Sequence, residues 1–277
     1  MILKYINSKG EEIDFLGYIR LKEGNFSSYE WEYESVEQRF GISITQFKKS
    51  AKSFELTALF TGSVKNRKDS LNLFTNTVEY DVLRNTAGKL IHGDDYINCF
   101  IVASSNEPQK GNNSTQKTFT VLAPYPFWIE EASHSFFPVA AGKATGFLDY
   151  NYDYEYDYTQ AATGNEVWNV EHYAPCKFKM IVYGPVSNPR IVINNNIYEV
   201  ETSLDSNEYL VIDSFKNQKK TITKFTNSGQ QLNILNSRYK QSSVFEPISP
   251  ENMKVNWNGQ FGFDLTLYLE RSEPKWI

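Results

Sequence analysis

The chain has 277 residues and a mass of 32.0 kDa, with 28 basic and 33 acidic side chains and a formal charge of −5. That length suits one large domain or two ordinary ones, and it buries enough surface to hold a core without metal or disulfide. Aromatic side chains make up 15% of the chain, which excludes a disordered polymer and favours packed β structure, and the mild negative charge offers nucleic acid no general attraction.

The opening Met1-Ile2-Leu3-Lys4-Tyr5 lacks a basic region followed by an apolar run, so no secretory signal is expected. No window approaches the roughly 20 apolar residues of a membrane span, so insertion into a bilayer is not expected either. Alternating apolar residues predict strands over 54–60, 96–102 and 118–122. Between the first two, residues 64–80 place Leu71, Phe74 and Val78 at helical spacing, with Ser63 as the N-cap of a single amphipathic helix. The polar run from Ser104 to Thr115 reads as a long exposed hairpin loop.

Pro124 and Pro126 stand two apart, and two such residues cannot extend a central strand because each lacks the ladder donor and restricts its predecessor. A domain boundary is expected there, giving domains 1–130 and 131–277 with net charges of −1 and −4. The second part alternates again over 178–183, 190–193, 197–201, 209–213, 221–225, 253–257 and 263–269. Turn clusters such as Asn194-Asn195-Asn196 and Asn227-Ser228-Gly229 divide these segments, a pattern that predicts a β-sandwich.

Candidate chemistry is sparse. Residues Asp149 to Tyr158 alternate strictly, so an extended chain puts Tyr150, Tyr152, Tyr154, Tyr156 and Tyr158 on one face and the acids on the other. Such a stretch is either an edge strand with solvated acids guarding it, or an aromatic surface for assembly or for stacking sugar rings, to which Trp168 and Trp257 could add. Asp153, Glu155 and Asp157 make a poor cation site, since same-face strand residues lie about 7 Å apart. His92, His134 and His172 form no spaced ligand pair, and Glu130 and Glu131, being adjacent, point opposite ways. Cys99 and Cys176 read as small buried thiols. The chain has no nucleophile elbow, phosphate-cradling loop or dinucleotide fingerprint, so no catalytic residue, cofactor or metal is expected.

Several phrases occur in a telling order. The strand Phe119-Thr120-Val121-Leu122 runs into Ala123-Pro124-Tyr125-Pro126-Phe127-Trp128. There follow Gly184-Pro185-Val186-Ser187-Asn188-Pro189-Arg190-Ile191, the pair Tyr209–Asp213 and Lys220–Thr223, and Phe245-Glu246-Pro247-Ile248-Ser249-Pro250-Glu251-Asn252. With the single helix after Phe60-Thr61-Gly62, these resemble the distal tail protein (Dit) family of long, non-contractile-tailed phages and prophages of Gram-positive hosts. Glu251 stands where the family usually has Gly.

The resemblance implies a mainly β protein with two parts. The first is an N-terminal split-barrel-like belt domain with one helix, and the second is a C-terminal galectin-like or carbohydrate-module-like β-sandwich. It further implies a non-enzymatic virion structural protein at the tail tip, made in the host cytoplasm. Six copies would form a ring between the tail-tube protein and the tail-tip hub, a tail-associated-lysin-like protein, with receptor-binding proteins nearby. The 104–115 hairpin is the expected arm between neighbouring copies. The alternative is a carbohydrate-binding module for cell-wall saccharide. Sugar binding does not carry over from galectins, because Asn188-Pro189-Arg190 lacks the preceding His and Trp257-Asn258-Gly259 lacks the Glu and Arg that follow in a galectin.

Overall fold

A computed structural model describes residues 3–108, 114–139, 163–215 and 219–275. The chain divides into two compact units, Met1–Glu130 with Glu270–Ile277, and Glu131–Leu269. The expected second domain of 131–277 is therefore too long at its end, because Glu270 and its successors return to the first unit.

In the first unit, β1 (Leu3–Ile6), β2 (Glu12–Asp14) and β3 (Ile19–Gly24) precede an outlying hairpin of β4 (Glu32–Glu37) and β5 (Ile42–Lys48). Then come β6 (Lys52–Phe60), helix α1 (Val64–Arg84), β7 (Gly88–His92), β8 (Asp95–Pro108), β9 (Thr115–Ala123) and β10 (Trp128–Phe136), whose residues from Glu131 on belong to the second unit. The long strand β8 serves two ladders, pairing with β7 over Asp95–Cys99 and with β9 from Phe100 to Pro108. A register shift between Ile101 and Ala103 marks the change, as expected of a bulge that bends a sheet. The order β2-β1-β7-β8 and the order β3-β6-β9-β8 thus meet in one strand and enclose one core. Residues 104–108 are paired strand, not the loop that their polarity suggests; Pro108 lies opposite Thr115. Backbone pairing asks nothing of side-chain polarity where both faces are wet.

Helix α1 forms where its spacing predicts and runs one turn further. Ser63 accepts from the Asn66 N–H at 3.3 Å, and Asn85 closes the helix in the left-handed conformation at φ 49°. Phe74 and Val78 are buried, and the Phe74 ring lies 5.7 Å from Phe60 and 5.1 Å from Phe119. The last turn is held by polarity. Buried Asp81 accepts from Tyr5 Oη at 2.5 Å, from Ser8 Oγ at 2.6 Å and from the Ser8 N–H at 2.8 Å. Gly88 passes so close that a Cβ there would stand 2.4 Å from Tyr5 Oη and 2.5 Å from Asp81 Oδ2. Asp81→Ala strands the buried Tyr5 hydroxyl without a partner and frees the Ser8 amide, and the expected cost is about 2–3 kcal/mol, read from urea unfolding of the full chain.

The second unit contains β11 (Gly164–Trp168), β12 (Lys177–Tyr183), β13 (Val186–Ser187), β14 (Arg190–Ile193), β15 (Asn196–Glu199) and β16 (Ser203–Leu204). It continues with β17 (Tyr209–Asp213), β18 (Thr221–Phe225), β19 (Gln231–Asn233), β20 (Met253–Trp257) and β21 (Phe263–Arg271). One antiparallel sheet runs β19-β18-β17-β12-β21, another runs β11-β20-β14-β15, and β13 pairs with β16. Alternation along β12 and β20 sends Phe178, Met180 and Val182 from one sheet, and Met253, Val255 and Trp257 from the other, into a common core. That is the sandwich the turn spacing predicts. Phe136 stacks on Phe263 at 4.5 Å, and the Trp257 ring meets both edge-on.

Candidate assembly surface

The residues singled out for sugar stacking are dispersed. Trp257 is only 7% exposed, donates its indole N–H to the Phe261 carbonyl at 3.0 Å, and lies so close over Gly164 that a Cβ there would meet the ring at 2.3 Å. Its job is core packing, which corrects its expected place on a surface platform. Trp168 stacks on His134 at 5.3 Å and packs against the same core, with His134 Nε2 bonded to Glu166 at 2.6 Å. Tyr150, Tyr152, Tyr154, Tyr156 and Tyr158 lie outside the described residues.

The other candidates have structural surroundings. Cys99 and Cys176 are buried free thiols in different units, and burial pushes the Cys99 thiol up to about 12. Glu130 pairs with Lys275 at 2.6 Å. No group of three His, Cys, Asp or Glu among the described residues could hold a metal ion, and none of the described helices is long and apolar enough to cross a membrane.

The feature that sequence inspection passed over is the hairpin β4–β5. Among the described residues its two strands pair only with each other. Tyr33 lies opposite Phe47, Ser35 opposite Ile44 and Glu37 opposite Ile42, with a register shift between Glu34 and Ser35. Cross-strand partners share a face, so Tyr33, Phe47, Ile44 and Ile42 form one largely apolar side, which Ser35 and Glu37 share. Glu32, Glu34, Gln46 and Lys48 form the other together with Val36 and Ser43, and there Lys48 pairs with Glu34. All four apolar residues are exposed, as are Tyr29, Trp31 and Val36, and Phe40 at the turn is 86% exposed. This is the pattern of a half-buried hairpin whose apolar side the described parts of the chain leave open to solvent. A contiguous apolar patch of that kind marks an interaction surface.

The hairpin's foot is built firmly onto the first unit. Lys49 reaches between aromatic rings, 4.4 Å from the Phe127 centroid, 5.2 Å from Trp31 and 5.8 Å from Tyr29, and donates to Ser272 Oγ at 2.7 Å. Lys52 donates to the carbonyls of Phe26 and Ser28. Between them opens a cleft of about 380 Å³ lined by Tyr29, Glu32, Lys49, Lys52 and Pro126. Ser272 belongs to the returning C-terminal segment. That segment is further held by Tyr125 donating to Glu270 at 2.7 Å and by the Lys275 N–H donating to Asp95 at 2.7 Å.

Burial, with the nearby Lys52 charge second, lowers the Lys49 ammonium to about 8, against a weaker pull from Glu273. Because this pKa falls on folding, the unfolded chain binds more protons between about 8 and the ordinary 10.5, so stability rises with pH through that window. Lys49→Met keeps the stem between the rings and removes the titration. The slope of unfolding free energy from pH 8 to 9.5 is expected to be shallower in the variant than in the parent, and equal slopes would contradict this account.

No described protein family and no curated protein sequence matches the chain. Solved structures do. The fold of this chain is similar to that of phage distal-tail and baseplate proteins. The Dit protein of phage SPP1, described as a paradigm of the hub of the adsorption apparatus in phages infecting Gram-positive bacteria, superposes with a TM-score of 0.61 at 9% identity, over 98% of this chain and 100% of its own. A chain of the phage P2 baseplate in its activated, calcium-containing conformation gives 0.61 at 12% identity, over 99% and 100%. The strontium-containing form gives 0.59 at 12% identity with the same coverage.

Proposed function

We propose that the chain is a structural virion protein of a phage or prophage distal tail, a baseplate hub adaptor that works by assembly and carries out no catalysis. The observation that carries this reading is the likeness of fold along essentially the whole chain to a distal tail protein and to a baseplate component. The finer proposal is a homohexameric ring. In it the first unit, domain 1–130 with its C-terminal return, forms the belt, and the second unit points to the tail-tip hub and receptor-binding proteins. The tail-tube protein would cap the ring's other side, and the protein would be made in the host cytoplasm and end at the virion tail tip.

A cyclic ring of this kind needs a heterologous interface, each copy offering two different surfaces. The apolar side of β4–β5 supplies one. The 104–115 segment, paired in β8 and β9 and with residues 109–113 outside the described ones, is the other candidate arm. The alternative of a saccharide-binding module loses Trp257 to the core, and among the described residues Trp168 is engaged by His134.

Light scattering coupled to size separation tests the proposal. A particle near six times 32.0 kDa, alone or after adding the neighbouring tail-tube and hub proteins, is the expected result. A chain that stays monomeric under both conditions would refute the ring.

A further inference from the structure

The wet face of the larger sheet in the second unit carries a hollow with aromatic walls. Along β12 the core takes Phe178, Met180 and Val182, so Tyr183 stands on the opposite face. Tyr209 is its cross-strand partner and Phe225 the next, stacked on Tyr209 at 4.5 Å, and this row braces Tyr183 from one side. On the other side Asp264 of β21 shares the wet face, since it pairs with Ile181. Beyond it Phe137 follows the last residue of β10 and is 73% exposed. The chain there is pinned. Pro138 packs over Gly262, where a Cβ would stand 3.1 Å from Pro138 Cδ, and the Val139 N–H donates to the Gly259 carbonyl at 2.8 Å. Phe137 and Tyr183 both line the resulting hollow of about 230 Å³.

Its polar groups define what fits. Tyr183 donates its hydroxyl to Asp264 Oδ2 at 2.6 Å, which leaves Oδ1 to accept elsewhere. That oxygen, the Gln260 carboxamide and Ser135 Oγ have no hydrogen-bond partner among the described residues. No Lys, Arg or His is among the described lining residues, so nothing there neutralises an anionic ligand. A quaternary ammonium suits aromatic rings but leaves the carboxamide and the hydroxyl unused. A neutral pyranose uses every group. Its C–H faces lie against the rings, and its rim hydroxyls donate to the carboxylate and exchange hydrogen bonds with the carboxamide. The hollow is smaller than clefts that take drug-sized ligands, which suits one such ring.

We infer that this hollow binds a neutral sugar ring, held between Phe137 and Tyr183 with a hydroxyl on Asp264. The site shares no residue with the tryptophans and tyrosines that the sequence offers for sugar stacking, and it does not depend on the oligomeric state.

Saturation-transfer NMR of the full chain with glucose, galactose, rhamnose and N-acetylglucosamine, each at millimolar concentration, tests the site. Choline, glycerol phosphate and a decaproline peptide are run alongside. At least one sugar is expected to receive saturation on its ring C–H protons, and Phe137→Ala and Tyr183→Ala should each weaken its binding about tenfold. Phe137→Ala removes an exposed side chain, so its melting temperature should match the parent's. Asp264→Asn keeps the shape but exchanges an acceptor for a donor, and should weaken binding about fivefold. No signal from any sugar, or a sugar signal unchanged by Phe137→Ala, would overturn the site. So would a stronger response to choline, glycerol phosphate or decaproline than to every sugar. None of these outcomes alters the light-scattering result, so the failure of one proposal leaves the other standing.

Discussion

Phe74→Ala is expected to remove about 3–5 kcal/mol from the first unit, the usual loss when a buried phenylalanine leaves a cavity. Phe74 is 1% exposed and sits between the rings of Phe60 on β6 and Phe119 on β9, with Phe15 stacked beyond Phe119 at 5.8 Å. With Val78 it is a side chain through which α1, the only α-helix among the described residues, grips the sheet, and neither neighbour can collapse into the space without leaving its strand. For a unit of this size the loss corresponds to a fall of roughly 10–20 °C in melting temperature. Leu73→Ala, one position along on a half-exposed face, serves as the comparison and should cost about 1 kcal/mol or less. Similar losses at both positions would mean that α1 does not bury the face described here.

Ile42→Glu combined with Ile44→Glu should have the opposite profile, leaving the fold alone and abolishing assembly. Both side chains are exposed on the hairpin's open side, so unfolding free energy is expected to shift by no more than about 0.5 kcal/mol. Across an interface, burying each isoleucine contributes about 1.5–3 kcal/mol, and the substitutions remove that and add a charge to desolvate. The expected result is at least a hundred- to thousand-fold weaker association, about 3–4 kcal/mol per interface. Glutamates at Glu32 and Glu34 already occupy the opposite side, so the variant hairpin keeps its alternation and pairing while its contact surface becomes polar. Sedimentation at several concentrations would read this directly. A variant that assembles like its parent would show that the hairpin is not the arm.

Much of the architecture is legible in the residue order. Alternation in Met253–Trp257 and, less strictly, in Lys177–Tyr183 and Phe263–Arg271, and the short apolar run Tyr209–Ile212, mark their strands within a residue or two. Ser63 and the spacing of Phe74 and Val78 locate α1 for the equivalent helical reason. The helix's final turn escapes the apolar spacing because Asp81 is polar, and only the distant Tyr5 and Ser8 explain why a carboxylate belongs inside. The strand character of Ser104–Pro108 is hidden in a similar way, since pairing with Thr115–Phe119 is a backbone matter that polar side chains do not announce.

By itself, then, the order of residues determined a mainly β chain in two parts with a single helix, because periodicity records which side of each element avoids water. Which apolar sides find cover within the chain was decided only by the tertiary structure. The same alternation that buries Trp257 beneath Phe136 and Phe263 leaves Ile42, Ile44, Tyr33 and Phe47 in solvent. Burial is a property of two surfaces meeting, and the second surface is distant in sequence for Trp257 and is not supplied by the described residues for the hairpin. The return of Glu270–Ile277 to the first unit has the same origin. Its attachments at Asp95, Tyr125 and Lys49 lie at least 145 residues away along the chain, where local pattern carries no information about them.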